Sequence, residues 1–341
     1  MDLLFTSLIP ILLIAILLYG NKVDNDGKSF FDKSYTRVLK GACCIIVILV
    51  HVPAAHGNKL QDAIGSFGYV AVTIFFMISA YGMYFSKQKK ADYLRHFWRN
   101  RLSSLLIPML LINIANFLYD VFRGGYSFST IIKLNGWVWV LLQFCILFYI
   151  VEVGEHYRLY KEKVTRILLI IGVTVSSLVL YFLYYNTENS AHAGWCYERM
   201  GLVWGLALLW YMPSIRKLVM PNSKKIVLST IVCTVLGVAY LKFKFEFFWG
   251  QYLLKILLGV SIVYFLFVVT SRRKWGNKAA NFLGDISYEV YLSHGFAMSI
   301  VVTYLPSLSS GIFILSSVLL TIVFSWFIHS ISKPMVKALR Y

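Results

Sequence analysis

The chain has 341 residues, of which 59% are hydrophobic and only 14% charged. Its mean hydropathy is +0.69 and its formal net charge is +18. Soluble domains carry roughly 25% charged and 45–50% apolar residues, so a soluble enzyme, a disordered chain and a coiled coil are excluded. Uninterrupted apolar runs recur along the whole length, as in VLSTIVCTVLGVAYL. They read as membrane-spanning helices rather than as the roughly ten-residue alternating strands of a membrane barrel.

In chain order, eleven segments are expected, at 3–20, 38–56, 65–85, 103–119, 135–153, 166–185, 197–213, 226–242, 250–270, 286–304 and 311–331. The fold class is therefore all-α, a polytopic transmembrane bundle. The first segment is no secretory signal peptide: its basic flank, Lys22 and Lys28, lies after it, and no small-residue cleavage site follows. No soluble domain separates the segments. Residues 1–341 read as one integral membrane domain, with an N-terminal helix and loop at 1–36, a core at 37–331 and a short cytoplasmic tail at 332–341. The basic, aromatic stretch KQKKADYLRHFWRNRL at 87–102 is expected to lie as a short helix on the inner leaflet.

The strong positive charge would suggest nucleic acid in a soluble protein. Here it sits in short loops. After segments 1, 3, 5, 7, 9 and 11 fall 26 of the 33 Lys and Arg residues. Basic loops face the cytoplasm. The N-terminus is thus expected outside and the C-terminus inside, in a plasma or inner membrane, with no nucleic-acid partner. The five cysteines, Cys43, Cys44, Cys145, Cys196 and Cys233, form no CxxC or Cys/His spacing. No disulfide framework or metal site is expected.

Ionisable groups inside a bilayer are costly and point to function. His51 follows Lys40 by eleven residues, about 16 Å of helical rise, which places it near mid-membrane. His294 lies about 13 Å into the tenth segment, so the two imidazoles could share one cavity. Neutral histidine suits proton transfer near pH 7. Lys255 and Arg199 lie near outer helix ends. Snorkelling to the surface accounts for Lys255, whereas Arg199, with Tyr197, Glu198 and His192, could hold a polar acceptor. His96, His156 and His329 read as structural. Gly65, Gly68, Ala71, Ser79, Ala80 and Gly82 leave room for a helix or a ligand to approach. Arg37, Lys40, Arg95, Arg99 and Arg101 form a basic inner rim that suits phosphate, although orientation alone would also produce it.

Taken together, these stretches resemble the acyltransferase 3 family of integral membrane O-acyltransferases. KGACCIIVILVH, Lys40 to His51, is similar to the family's basic residue, ten residues and histidine. GYVAVTIFFMISAYG resembles its Gly and Phe-Phe-x-x-Ser-Gly stretch, with Ala80 where Gly is usual. RNRLSSLLIP, Arg99 to Pro108, is similar to its Arg-rich turn, and WVWVLLQFCILFY to its Trp-containing helix. The acidic residue often found in that helix is replaced by Gln143 or Phe144. ERMGLVWG at 198–205 and LGDISYEVYLSH at 283–294 complete the ordered set, which covers about 37–294.

The resemblance implies about ten core helices, with the first helix an N-terminal addition. Some family members carry an extracytoplasmic SGNH domain. The chain stops soon after its last segment, so the form without it is expected. The resemblance also implies transfer of an acyl group, usually acetyl, from cytoplasmic acyl-CoA to a hydroxyl, here of a cell-surface or lipid-linked glycan. In that reading His51 is general base or transient acyl carrier. His294, Ser79 and Tyr288 line the tunnel and polarise the thioester. Arg37, Lys40, Arg99 and Arg101 hold CoA, and Tyr197, Glu198 and Arg199 hold the acceptor. The residues alone also leave open a transporter or flippase for a saccharide or small anion.

Overall fold

A computed structural model describes residues 2–125, 127–188 and 196–340. The elements are α1 (Asp2–Leu18), β1 (Lys22–Val23), α2 (Lys33–Val50), α3 (Lys59–Phe67), α4 (Tyr69–Lys89), α5 (Phe97–Phe122), the one-turn α6 (Ser129–Ile132), α7 (Gly136–His156) and α8 (Glu162–Tyr185). Then come α9 (Met200–Trp210), α10 (Met212–Val219), α11 (Ser223–Phe243), α12 (Lys255–Thr270), β2 (Arg273–Lys274), α13 (Lys278–Asp285), α14 (Ser287–Tyr304) and α15 (Ser310–Leu339). Among the described residues, seven helices are long and apolar enough to cross a bilayer. The chain is a polytopic helical membrane protein. The helices that fall short include α2, α9 and α14, which carry or adjoin Lys40, Glu198 and His294. In α2 and α14 the polar groups lower the apolarity of the helix, whereas α9 falls short by its length of 11 residues.

Each of the eleven expected segments contains a helix, but several boundaries differ. The second segment was expected to run to residue 56. The helix instead stops at Val50, with His51 as its C-cap. Pro53 lies just beyond and cannot continue the backbone hydrogen-bond pattern. The expected interfacial helix at 87–102 does not form. Lys87–Lys89 end α4, a turn follows, and Phe97 already begins α5. The aromatics explain this: Phe97 is buried against Phe148 and Tyr149 instead of facing lipid headgroups. The seventh segment is broken, a 3-10 turn at Cys196–Arg199 leading into α9 and then α10. The expected tail is largely helical, since α15 continues through Leu339.

Side-chain caps start many of the helices. Asp32 Oδ1 accepts from Tyr35 N at 2.7 Å to open α2. Asn58 Oδ1 accepts from Leu60 N and Gln61 N at 3.1 and 3.0 Å to open α3. Asn135 opens α7, accepting from Trp137 N at 2.9 Å. Asn277 caps α13 through Ala280 N, and its Nδ2 reaches back to the carbonyls of Ile16, Leu17 and Tyr19. That amide and the two-residue antiparallel pairing of β1 with β2 fasten the end of α1 to the rest of the bundle.

Helices α2 and α4 form the spine. One apolar cluster joins them through Cys43, Val47, Ile74 and Met77 to Leu258 and Phe267 of α12. A second joins Ile45 and Ile48 of α2 to Val290 of α14 and Phe313 and Val318 of α15. A third joins Phe76 of α4 to Phe97, Phe144, Phe148 and Leu206. The tightest crossing is α4 with α9. A side-chain carbon at Gly201 or Gly205 would run into the backbone carbonyls of Thr73 and Met77, so this Gly-x-x-x-Gly pair lets the two backbones touch. Gly68 plays the same part at the start of α4, lying against the side chain of Val50. That contact brings the end of α2, and with it His51, against the head of α4.

Candidate active site

His51 and His294 meet. Their ring centroids are 4.5 Å apart and the planes are tilted by 57°. Each ring is held by its own helix: His51 Nδ1 lies 2.8 Å from the Val47 carbonyl, and His294 Nδ1 lies 2.7 Å from the Tyr291 carbonyl. A carbonyl oxygen has no proton to give, so both bonds require Nδ1–H. In the neutral imidazole each Nε2 is then an unprotonated acceptor, the form a general base needs. His51 is exposed to a cavity, whereas His294 is only 9% exposed.

The cavity at His51 holds about 550 Å³. Gly65 and Ser66 of α3 and Gly68 and Tyr69 at the head of α4 line it, together with Trp137, Glu198, Tyr240, Lys244, Gln251 and Lys255. A second cavity of about 440 Å³ lies further along α4, at Ser79, Gly82 and Ser86. Its polar lining includes Lys40, Arg101, Ser104, Tyr288 and Arg340. Val72 and Trp137 line both cavities. His51 faces the first, and Tyr291, whose carbonyl holds His294, faces the second. His51 thus opens on the first cavity with His294 packed against its ring, and Val72 and Trp137 form the wall shared with the second. The small residues noted in the sequence serve this opening: nothing packs within 4 Å of a side-chain carbon built at Gly65 or Gly82.

The other candidates divide. Lys40, Ser79, Arg101 and Tyr288 come together in the second cavity. There Ser79 Oγ donates to the Phe75 carbonyl and Tyr288 OH to the Leu105 carbonyl, both at 2.8 Å. Either hydroxyl would have to release that carbonyl before polarising a thioester. Arg101 Nη2 donates to Tyr93 OH at 2.8 Å. Arg37 is absent from the lining of this cavity and pairs with Asp285 at 2.8 Å. Arg99 is exposed, and its Nε donates to the Leu339 carbonyl.

Of the three acceptor candidates, only Glu198 lines the His51 cavity. It is 2% exposed, and its Oε2 has no hydrogen-bond partner among the described residues. Tyr197 is fully buried behind it, bonded to Thr73 Oγ1 at 2.7 Å. Arg199 lines a separate space of about 180 Å³ beside Gln143 and Ser176, so it does not face His51. His192 lies outside the described residues.

Four cavity residues were given no part in the site by the sequence reading: Lys255, Gln251, Trp137 and Arg340. Lys255 does not snorkel. It is 9% exposed and lines the His51 cavity, its Nζ lying 5.2 and 5.4 Å from the ring centroids of Tyr69 and Tyr197. These aromatic faces offset part of the cost of burying its charge. A π-helical stretch, Trp249–Leu254, immediately precedes Lys255 and places Gln251 in the same cavity; such stretches often mark functional sites. Trp137 is a shared wall, and Arg340 adds a third cation to the Lys40 cavity. With Gln143 and Phe144 at the position where the family often has an acid, α7 carries its buried carboxylate at Glu152. That carboxylate is paired with Lys87 at 2.8 Å, outside the linings of both cavities. Among the described residues, no cluster of His, Cys, Asp and Glu has the make-up of a metal site. The five cysteines are free, and all but Cys233 are buried.

The molecule is a helical membrane bundle with a histidine pair at one polar cavity and a second cavity across the wall of Val72 and Trp137. Residues 33–330 match the acyltransferase domain family; the chain belongs to this family of membrane acyltransferases. It is thus an acyltransferase, and the transporter reading falls away. No curated protein and no solved structure matches the chain.

Proposed function

We propose that the protein moves an acyl group, acetyl in the first instance, from cytoplasmic acyl-CoA to a hydroxyl of a cell-surface or lipid-linked glycan. The observation that carries this reading is His51, backed by His294, in a polar cavity that shares the wall of Val72 and Trp137 with a second, basic cavity. The basic Lys40 cavity takes the thioester arm of the donor. The His51 cavity takes the acceptor: Trp137, Tyr69 and Tyr240 offer apolar faces to a sugar ring, and Glu198, Lys244 and Lys255 offer polar contacts to its hydroxyls. The charge distribution of the loops supports placing the donor side in the cytoplasm.

In the reaction, His51 Nε2 takes the proton as the acceptor oxygen attacks the thioester carbonyl. The new O–C bond forms, the C–S bond breaks, and the proton on His51 passes to the departing thiolate. His294 packs against the His51 ring and limits its orientation. Lys40 and Arg101 supply positive charge on the donor side. The test is purified protein in lipid nanodiscs with acetyl-CoA, scored for free thiol and for O-acetyl groups on added glycans. Thiol release that depends on the glycan is expected. Absence of both signals with every donor thioester and glycan offered would overturn the reading. Deleting the gene should remove O-acyl groups from one cell-surface polysaccharide.

A further inference from the structure

The Lys40 cavity does not end at Arg340. Beyond Ser104, Tyr288 and Arg340, which line both, lies a third cavity of about 450 Å³. One wall is the last turns of α15, where Lys333, Lys337 and Arg340 follow each other at spacings of four and three and so share a helix face. The other wall carries two carboxylates, and each is already engaged. Asp285 pairs with Arg37 at 2.8 Å. Glu289 Oε1 lies 2.9 Å from His329 Nδ1 and accepts from Ser332 Oγ at 3.2 Å. Lys333, Lys337 and Arg340 have no carboxylate partner among the described residues, so the cavity carries an excess of positive charge.

We propose that this third cavity is a phosphate subsite, and that it seats the nucleotide end of the acyl donor. The inference rests on the donor reading above. A pantetheine arm is slender and uncharged and suits the Lys40 cavity, whose lining between the polar groups is largely apolar (Phe75, Phe76, Leu105, Val138). The phosphorylated nucleotide of coenzyme A is bulky and multiply anionic and needs an open, basic space in continuity with it. Charge-assisted contacts to phosphate are the strong class of hydrogen bond, and the three cations are surface-exposed, so their pull should fall as salt rises. Arg37 and Arg99, assigned to the donor from the sequence, then act indirectly: Arg37 neutralises Asp285 at the cavity edge, and Arg99 holds the end of α15 through the Leu339 carbonyl.

The experiment compares acetyl-CoA with acetyl-pantetheine, which lacks every phosphate, on wild type and on the Lys333→Ala/Lys337→Ala double variant. KM for acetyl-CoA should rise on the order of tenfold in the double variant, with kcat retained. The acetyl-pantetheine kinetics should not change. High salt should bring wild type toward the variant with acetyl-CoA only. An unchanged KM, or an equal change with both donors, overturns the subsite. Direct titration of coenzyme A into the purified proteins separates this from the transferase reading. Binding lost in the variant upholds the subsite even if wild type transfers nothing, whereas equal binding in both proteins removes it. A lipid headgroup is the other source of phosphate. If coenzyme A binds wild type and variant equally while binding of phosphatidylglycerol is lost in the variant, the site belongs to lipid and the donor assignment is wrong.

Discussion

At the scale of single residues, the two histidines were legible because helical rise is regular. Eleven residues from Lys40 gave the expected depth of His51, and the distance from Asp285 that of His294. Their contact, with ring centroids 4.5 Å apart, depends on packing that no spacing reveals. His51→Ala should lower kcat by about 10²–10⁴-fold, the usual range for a lost general base, while the protein still purifies as a folded species. Turnover near wild type in the purified variant would reduce His51 to a packing residue. Glu198→Gln keeps the shape and removes the ionisable carboxyl, whose Oε2 has no partner among the described residues. It should raise KM for the acceptor and leave KM for the donor unchanged; the opposite pattern would move Glu198 to the donor side. Lys255 and Arg199 show where sequence reasoning stopped. Both sit near helix ends that the charge distribution leads one to expect outside, where snorkelling is the ordinary outcome. The faces they take were set by the local turns, a π-helical stretch before Lys255 and a 3-10 turn at Arg199, and neither turn announces itself in the sequence.

At the scale of elements, apolar run length located the helices, and polar content blurred their ends. The segment at 87–102 was misjudged because a basic, aromatic stretch suits a membrane surface and a buried helix start equally well. Phe97 decided between them by finding Phe148. The crossing of α4 with α9 carries the clearest test at this scale. Gly205 faces the Met77 carbonyl with no room for a side chain. Gly205→Leu should force the helices apart and cost about 3 kcal/mol or more, at or above the upper end for overpacking. A thermal melt in detergent checks this, and an unchanged midpoint would show that the helices can shift freely. Thr73 and Met77 lie on the same helix as Val72 and Ser79. The crossing therefore also sets the walls of both cavities, and milder Gly205 variants such as Gly205→Ala should lose activity before they lose the fold.

At the scale of the whole molecule, the charge distribution makes the orientation testable. With the native cysteines replaced, Thr187→Cys should react with an impermeant maleimide added outside intact cells, and Lys161→Cys only after lysis; the reverse would invert the molecule. The shared wall of Val72 and Trp137 has a kinetic consequence. Two substrates that occupy separate chambers need not take turns. Initial rates measured against both substrates should give intersecting double-reciprocal lines, the signature of a ternary complex. Coenzyme A should then compete with acyl-CoA but not with the glycan. Parallel lines would instead mean that the acyl group rests on the protein between two half-reactions, with His51 Nε2 as its carrier.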